Sequence, residues 1–540
     1  MSQTSTFVAA LHQTAQEATS FATMKRYSRA HENRVPPNHP SVRGPRRKFL
    51  KAAFKNFVLL EILFFALFAY LFGSLYQQQQ HMHNFNVLFV DYDPNGAVGT
   101  AIRQAYEKLE SSGFPTIVEK TPAQFQTPAD IGREVCSTRY WAALYTSPEA
   151  SNRIETALTT GDTYNKANII SYIWNEARYS STLDSSVSSN LQTLSSVAAT
   201  FYASGNWTSN INLDPTPNTF STFAQPWTLT SINIQPTTQG SRLIYNTLVI
   251  ILMIIQQFFF LGTINALYEA FKIYSRLNPH RIFFFRILLS LLYTLVGSLC
   301  VTGAIWAFRV NWKVNGNQFA LTWAALWLFA HCNFLTLDVF TVWLPAPFVP
   351  MALITWVVFN VASILLPFEL SPAFYRWAYI MPAHEVYETL VDIWSRGCNP
   401  HLRYTLPVLF SLEISGLILS ALGVHRRAHY ATIKEENDKE AFQGRVDAAL
   451  RFERQKLEEK LKEERMRAGS VSPTEIIPVE EPKDEEVEAL EARRDKEELA
   501  EVIRQETRQL QRTQSKRSQN VQFGPSFAFT LGTTDDSPEE

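Results

Sequence analysis

Cysteine is scarce in this chain of 540 residues: there are four, with no Cys-x-x-Cys pair and no Cys/His cluster. That excludes a disulfide-stapled scaffold and a zinc-built domain. Charge of one sign is lacking too. Lys and Arg total 49 against 50 Asp and Glu, a net charge of −1, which argues against a chain made for nucleic acid. No Gly-x4-Gly-Lys-Ser/Thr loop occurs, so the chain cannot cradle ATP in the usual way, and no His-Glu-x-x-His, Gly-x-Ser-x-Gly or kinase signature is found. The expectation is a non-enzyme without cofactor or metal. Residues 1–55 lack the apolar core of a cleavable signal peptide and read as a disordered, basic cytosolic tail.

What the chain does have is long apolar runs, rich in Phe, Leu, Ile and Trp. The first is 57–76, of the length that spans a bilayer core at 1.5 Å per residue. Arg43, Arg46, Arg47, Lys48, Lys51 and Lys55 precede it and hold its start in the cytosol, so it reads as an uncleaved anchor. Five further runs qualify: 245–268, 283–306, 319–341, 348–367 and 404–424. Lys272, Arg276, Arg281 and nearby Arg286 mark a cytosolic loop between the second and third, and His425-Arg426-Arg427 follows the sixth. Six spans therefore return both termini to the cytosol. The fold class is a polytopic α-helical membrane protein with a large domain outside, between spans one and two, and a charged helical tail.

The outer stretch, 77–244, has globular composition. Strand-like runs occur at 86–92, 116–119, 140–145 and 168–173, and helical patterns at 101–109 and 128–135. This alternation predicts an α/β or α+β domain. Asp91 and Asp93 read as the end of a strand and its turn rather than as an acid–base pair. The Ser-rich segment 183–204 reads as a helix leading back to the membrane. A second outer segment, 368–403, is aromatic and interrupted by Pro. It predicts short helices at or dipping into the outer leaflet, with an amphipathic one at 385–394. From Lys434 to about Thr513 opposite charges alternate at helical spacing. That favours a solvated helix, split by Pro473, Pro478 and Pro482, over a specific coiled coil.

Polar groups within the spans are the candidate functional residues, because each is costly against lipid. Gln256, Gln257, His331, Asp338, Asn360 and Glu413 are candidates for an intramembrane polar pathway, with hydrogen bonding between helices as the plainer alternative. Glu61 lies a turn inside the first run. Asn206, in Asn206-Trp-Thr208, is a candidate glycosylation site. Cys136 and Cys398, both on the predicted outer side, are candidates for a disulfide.

The order of parts resembles the fungal nitrosoguanidine-resistance membrane protein family. The resemblance is carried by Arg46-Arg47-Lys48, Gly73-Ser-Leu-Tyr76, Val90-Asp-Tyr-Asp93 with Gly99, Tyr140-Trp-Ala-Ala143, the run Glu155 to Tyr164, Asn175-Glu-Ala-Arg178, and Phe374 through Pro382. It covers about 43–430. The resemblance implies a plasma-membrane or endomembrane protein whose layout is similar to ABC exporter permeases and phage-infection-protein relatives. It also implies resistance to a small toxic alkylating agent, with export as the proposed route. Partners implied are the lipid bilayer, a small-molecule or lipid substrate, and a separate ATPase or self-association. The competing expectation is a non-transporting organiser that acts through its outer domain and tail.

Overall fold

The structure is a computed structural model that describes residues 39–205, 216–237 and 247–468. The chain divides into two units after Ala69. The first holds most of helix α1, Pro40–Ser74. This helix starts well before the apolar run. The basic residues 43–55, expected in a disordered tail, are helical instead, because Lys, Arg, Ala and Phe there are all tolerated in a helix and only Pro45, in its second turn, interrupts.

The second unit opens with an α/β domain. Strand β1 (Asn86–Asp91) is followed by α2 (Ala97–Leu109), β2 (Thr116–Lys120), α3 (Pro128–Cys136), β3 (Ala142–Thr146), α4 (Ala150–Thr160) and β4 (Ile170–Trp174). After β4 a short turn and a π-helical stretch lead into α5 (Ser189–Ser204), then α6 (Pro217–Ala224) and β5 (Thr230–Asn233). The sheet order is β2-β1-β3-β4-β5. β1 is parallel to both β2 and β3, β3 and β4 are antiparallel, and β5 runs parallel to β4. Burial on both faces explains why β1, β3 and β4 read as continuous apolar runs. Phe85, Val87, Phe89, Leu144 and Tyr172 pack to one face with α2 and α5. Leu88, Val90, Ala143 and Ile173 pack to the other with Ile131 and Val135 of α3.

Local chemistry sets the boundaries. Thr127 and Asp130 form a reciprocal cap at the start of α3, with Pro128 at its first position. α4 ends at Gly161, whose φ of 72° suits glycine. Asp91 is buried, accepts from Thr146 Oγ1 at 2.5 Å and pairs with Arg103 at 2.7 Å. Gly99 is required beside it, since a Cβ there would lie 1.9 Å from the Asp91 carboxylate. The Asp93 carboxylate accepts from the Ser151 backbone N–H. Both aspartates thus shape the strand end. Helix α5 does not lead back to the bundle as expected. It lies along α2, with Leu191, Leu194 and Ala198 in the domain core, and the sheet gains a fifth strand after it. Asn206 lies outside the described residues.

The helical bundle comprises α7 (Thr247–Ala270), α8 (Pro279–Ala307), α9 (Gly316–Trp343), α10 (Val349–Leu365) and the start of α12 (Leu402–Ala468). With α1 these are the six helices among the described residues long and apolar enough to cross a membrane. α9 sits among α7, α8 and α12. The segment between α10 and α12 carries α11 (Pro382–Trp394), and here the structure differs from the expectation of a helix lying in the outer leaflet. α11 is enclosed by protein: Val386, Tyr387, Leu390, Val391 and Trp394 are all buried. Its apolar residues pack against α9, α10 and α12. The preceding aromatic turn, with Phe374 and Ile380, stays exposed. α12 runs unbroken for 67 residues, through Pro407 near its start and far past the expected end of the last span. The tail beyond 468 lies outside the described residues.

Candidate functional site

The bundle interior carries a polar seam whose backbone is one face of α8. Arg286, Ser290, Thr294, Ser298 and Thr302 recur every fourth residue, and each is fully buried. At 1.5 Å per residue the row is about 24 Å long. Four of its members stay compatible with an apolar bundle by bonding backward along their own helix: Ser290 to the Ile287 carbonyl, Thr294 to Ser290, Ser298 to Leu295 and Thr302 to Ser298. Trp327 Nε1 of α9 donates to Thr294 Oγ1 at 3.2 Å and ties the row to its neighbour.

At the end of the seam near the α7–α8 connection lies a fixed charge lattice. Arg286 and Asp338 are both fully buried and form an ion pair at 2.6 Å. Arg286 Nε also donates to the second carboxylate oxygen at 3.3 Å. Arg427 of α12 approaches Asp338 at 3.1 Å, and Ser420 Oγ donates to it at 2.8 Å. Asn265 of α7 accepts from Arg286 at 2.8 Å and from Arg427 at 3.3 Å. Both guanidinium groups also donate to Tyr274 Oη. Two cations and one anion therefore bind four helical segments together, with both Asp338 oxygens hydrogen-bonded. A charge lattice without water survives only when satisfied to this degree.

Seven residues toward the middle of α9, about 10 Å along the axis, a second cluster is built differently. His331 Nδ1 and Glu413 Oε1 of α12 are 2.5 Å apart. His331 Nε2 bonds Ser290 Oγ of the α8 row at 3.0 Å. The other Glu413 oxygen accepts from Cys332 Sγ at 3.4 Å, and that thiol also reaches the Leu409 carbonyl. Among the described residues no Arg or Lys pairs with this carboxylate, and Glu413 keeps 13% of its side-chain surface exposed on the bundle.

Of the six pathway candidates, the structure thus brings three to the seam: His331, Asp338 and Glu413. Asn360 is used elsewhere. Its Oδ1 accepts the Ala383 N–H at 3.1 Å, capping α11, and its Nδ2 bonds the Trp356 carbonyl. Gln256 lies against Gly297 of α8, where a Cβ would come within 2.8 Å of its amide. Gln257 is fully buried, and its amide atoms have no hydrogen-bond partner among the described residues. Arg286, read from the sequence as a charge flanking the cytosolic loop, belongs instead to the buried seam. Asn278 caps α8 and Pro279 begins it, so Arg286 falls two turns inside the helix. Its every-fourth-residue polar row was the signal in the sequence that would have placed it.

The opposite end of the bundle meets the α/β domain. Cys136, the last residue of α3, and Cys398, just before α12, form a disulfide. Asn175 donates to the Cys398 carbonyl at 3.0 Å, and Tyr179 N–H donates to Tyr387 Oη of α11 at 2.9 Å. Arg178 is buried and stacks 4.0 Å over Trp141. Burial pushes its guanidinium below the ordinary value, opposed by Glu388 and Glu369. Burial, with Glu388 alongside, raises the Glu385 carboxyl to about 7. Asp392 and Glu369 are raised by burial too.

No group of three His, Cys, Asp or Glu suited to a metal ion occurs among the described residues. A family described as a protein of unknown function, DUF3533, matches residues 56–418. The chain is also 23% identical over 402 residues to an uncharacterized endoplasmic reticulum membrane protein of Saccharomyces cerevisiae, covering 66% of this chain and 75% of that protein. Six membrane-length helices and a relative of the endoplasmic reticulum membrane fit a multi-pass endomembrane protein. The family match takes in the α/β domain, the α8 polar row and α11 alike, from just before the first apolar run into the first third of α12, and so the chain belongs to the DUF3533 family.

Proposed function

We propose that this chain is a permease-like membrane protein that moves small toxic compounds or lipids, in the manner implied by its resemblance to nitrosoguanidine-resistance proteins. The observation that carries the reading is the polar seam: a row of buried polar side chains on α8, faced by His331, Asp338 and Glu413. Intramembrane ionisable groups that face a bundle interior are the usual mark of a solute or ion route. The layout, one helix, a large domain and a five-helix block, is similar to that of exporter permeases.

The proposed orientation puts both termini in the cytosol and the α/β domain in the lumen or outside. Lys272, Arg276, Arg281, Arg426 and Arg427 gather at one end of the bundle, as the positive-inside rule asks of a cytosolic face. The Cys136–Cys398 disulfide lies at the other, which suits an oxidising compartment. Protease protection of intact microsomes tests this. Residues 100–200 should be shielded, and their digestion from the cytosolic face would end the proposal.

The functional test is efflux of a nitrosoguanidine from cells or proteoliposomes carrying normal amounts of protein. H331A and E413Q should abolish efflux. Unchanged efflux in both would exclude a route through the seam. One observation favours a second reading, an organiser that recruits partners: α12 continues more than forty residues past the last apolar run. Deleting 430–540 discriminates, since an organiser loses its function and a permease keeps flux.

A further inference from the structure

The lattice and the His331–Glu413 pair share one seam, yet only the lattice has its charges fixed. We propose that the His331–Glu413 pair is a proton-exchanging site, binding and releasing one proton within the membrane-spanning bundle. The geometry limits what it can hold. A single carboxylate, one imidazole, one hydroxyl and one thiol converge there. Sodium or calcium asks for several more oxygens. A proton asks for one acceptor pair at hydrogen-bond distance, which the structure supplies at 2.5 Å.

The charges around the pair point the same way. Facing it from α8 are Ser290 and, one turn on, Arg286, whose charge is taken up by Asp338. Tyr293, also on α8, is stacked on Phe260 of α7 at 3.6 Å. α9 adds Cys332, and Phe334 stacks beside the imidazole. On α7, Tyr268 lies near Arg286 and Glu269 pairs with Lys434, away from the pair. α10 brings no titratable side chain. α11 brings His384, Glu385, Tyr387, Glu388 and Asp392, but its side-chain hydrogen bond to α12, Thr389 to Thr405, lies two turns before Glu413. Among the described residues, therefore, no uncommitted cation balances an ionised Glu413 except His331 itself.

A net charge in the hydrocarbon is costly, so the resting pair shares one proton, carried on the imidazole or the carboxyl. Uptake of a second proton from water, or release of the shared one, changes only an N–H or O–H bond and shifts the charge of the pair by one. Both of those states are strained by burial. Switching between them would bias α9 against α12, the two helices that carry the pair. This last step rests on the permease reading, in which proton entry would drive the cycle of a chain without a nucleotide-binding loop.

The test uses dicyclohexylcarbodiimide, a lipid-soluble reagent that adds across a protonated buried carboxyl and leaves the whole reagent attached. Full-length protein in vesicles is labelled between about pH 5 and 9 and mapped by peptide mass. Labelling of Glu413 should grow as pH falls, be lost in E413Q and be absent at Asp338. In H331A it should persist to a pH about one unit or more higher, because the cationic partner is gone. The wild-type titration stands even if a variant folds poorly. Labelling of Glu413 that is absent or flat across this range overturns the proposal, as does labelling of Asp338 in parallel. Protein that moves no solute yet shows the titration removes the permease reading and leaves the proton site standing.

Discussion

The two polar clusters of the bundle use the same residue classes to opposite ends. In the Arg286–Asp338–Arg427 lattice, one carboxylate is met by two guanidinium groups, a serine and an asparagine-linked neighbour, and no proton is needed to balance it. At His331–Glu413 the carboxylate meets an imidazole, and no Arg or Lys among the described residues is paired with it. The lattice lies toward one end of the bundle, where Arg427 keeps part of its surface exposed while Arg286 and Asp338 are fully buried. The pair lies mid-bundle, where charge is dearest. The difference separates a clamp from a switch: a clamp is built from groups that never change state, and a switch from groups that must.

The comparison breaks first at the clamp. Arg286→Ala leaves a buried carboxylate with one partner fewer, and should cost about 3–5 kcal/mol. Thermal unfolding in detergent should show a large drop or no folded protein. The double replacement R286M/D338L should recover most of it, because burying neither charge avoids the penalty. Full stability in R286A would show that the lattice holds nothing.

The disulfide comes next. It closes a loop across 262 residues, and Cys136→Ser should cost about 2–4 kcal/mol. Mild reduction of the wild type should lower the midpoint equally and leave C136S unmoved.

Glu385 gives a pH signature of similar size at the domain junction. Its folded carboxyl is raised from the ordinary 4.5 to about 7 by burial and Glu388. The folded state therefore holds the proton more tightly than the unfolded chain. Stability should be highest below about pH 4.5 as regards this group and fall as pH rises toward 7. The loss is at most about 3 kcal/mol. E385Q should flatten that slope. A slope of the other sign would contradict the buried, neutral carboxyl.

The smallest stability effect is expected at the switch. Glu413→Gln keeps the shape and a hydrogen-bond partner, so it should cost about 1 kcal/mol. If E413Q unfolds as readily as R286A, the two clusters are the same kind of device.

Much of this architecture was legible in the residues. Hydrocarbon-length apolar runs marked out the six helices long and apolar enough to cross a membrane, because a bilayer core asks for about twenty mostly apolar residues. Strands β1 to β4 were readable from β-branched and aromatic runs bounded by turns. β5 was not, since Thr230-Ser-Ile-Asn233 has no apolar pattern of its own and pairs only because β4 is already placed. The enclosure of α11 was hidden for a related reason: its acidic residues gave it an amphipathic look, while tertiary packing buries both faces. His331, Asp338 and Glu413 stood out as charges within apolar runs. Their partners did not, because Arg286 looked like flanking charge and Ser290 like a small residue. Which polar group meets which is decided by helix rotation, and a single sequence carries that only through four-residue spacing.

Helix α12 has a mechanical corollary. An unbroken helix from Leu402 to Ala468 is a rod of about 100 Å, of which a bilayer core occupies only about 30 Å. Glu413 rides on its inner third. A small tilt or turn of that segment against α9 would sweep the distal tip through a much larger arc. The tip is a pointer that would make events inside the hydrocarbon visible to proteins in the adjoining aqueous phase.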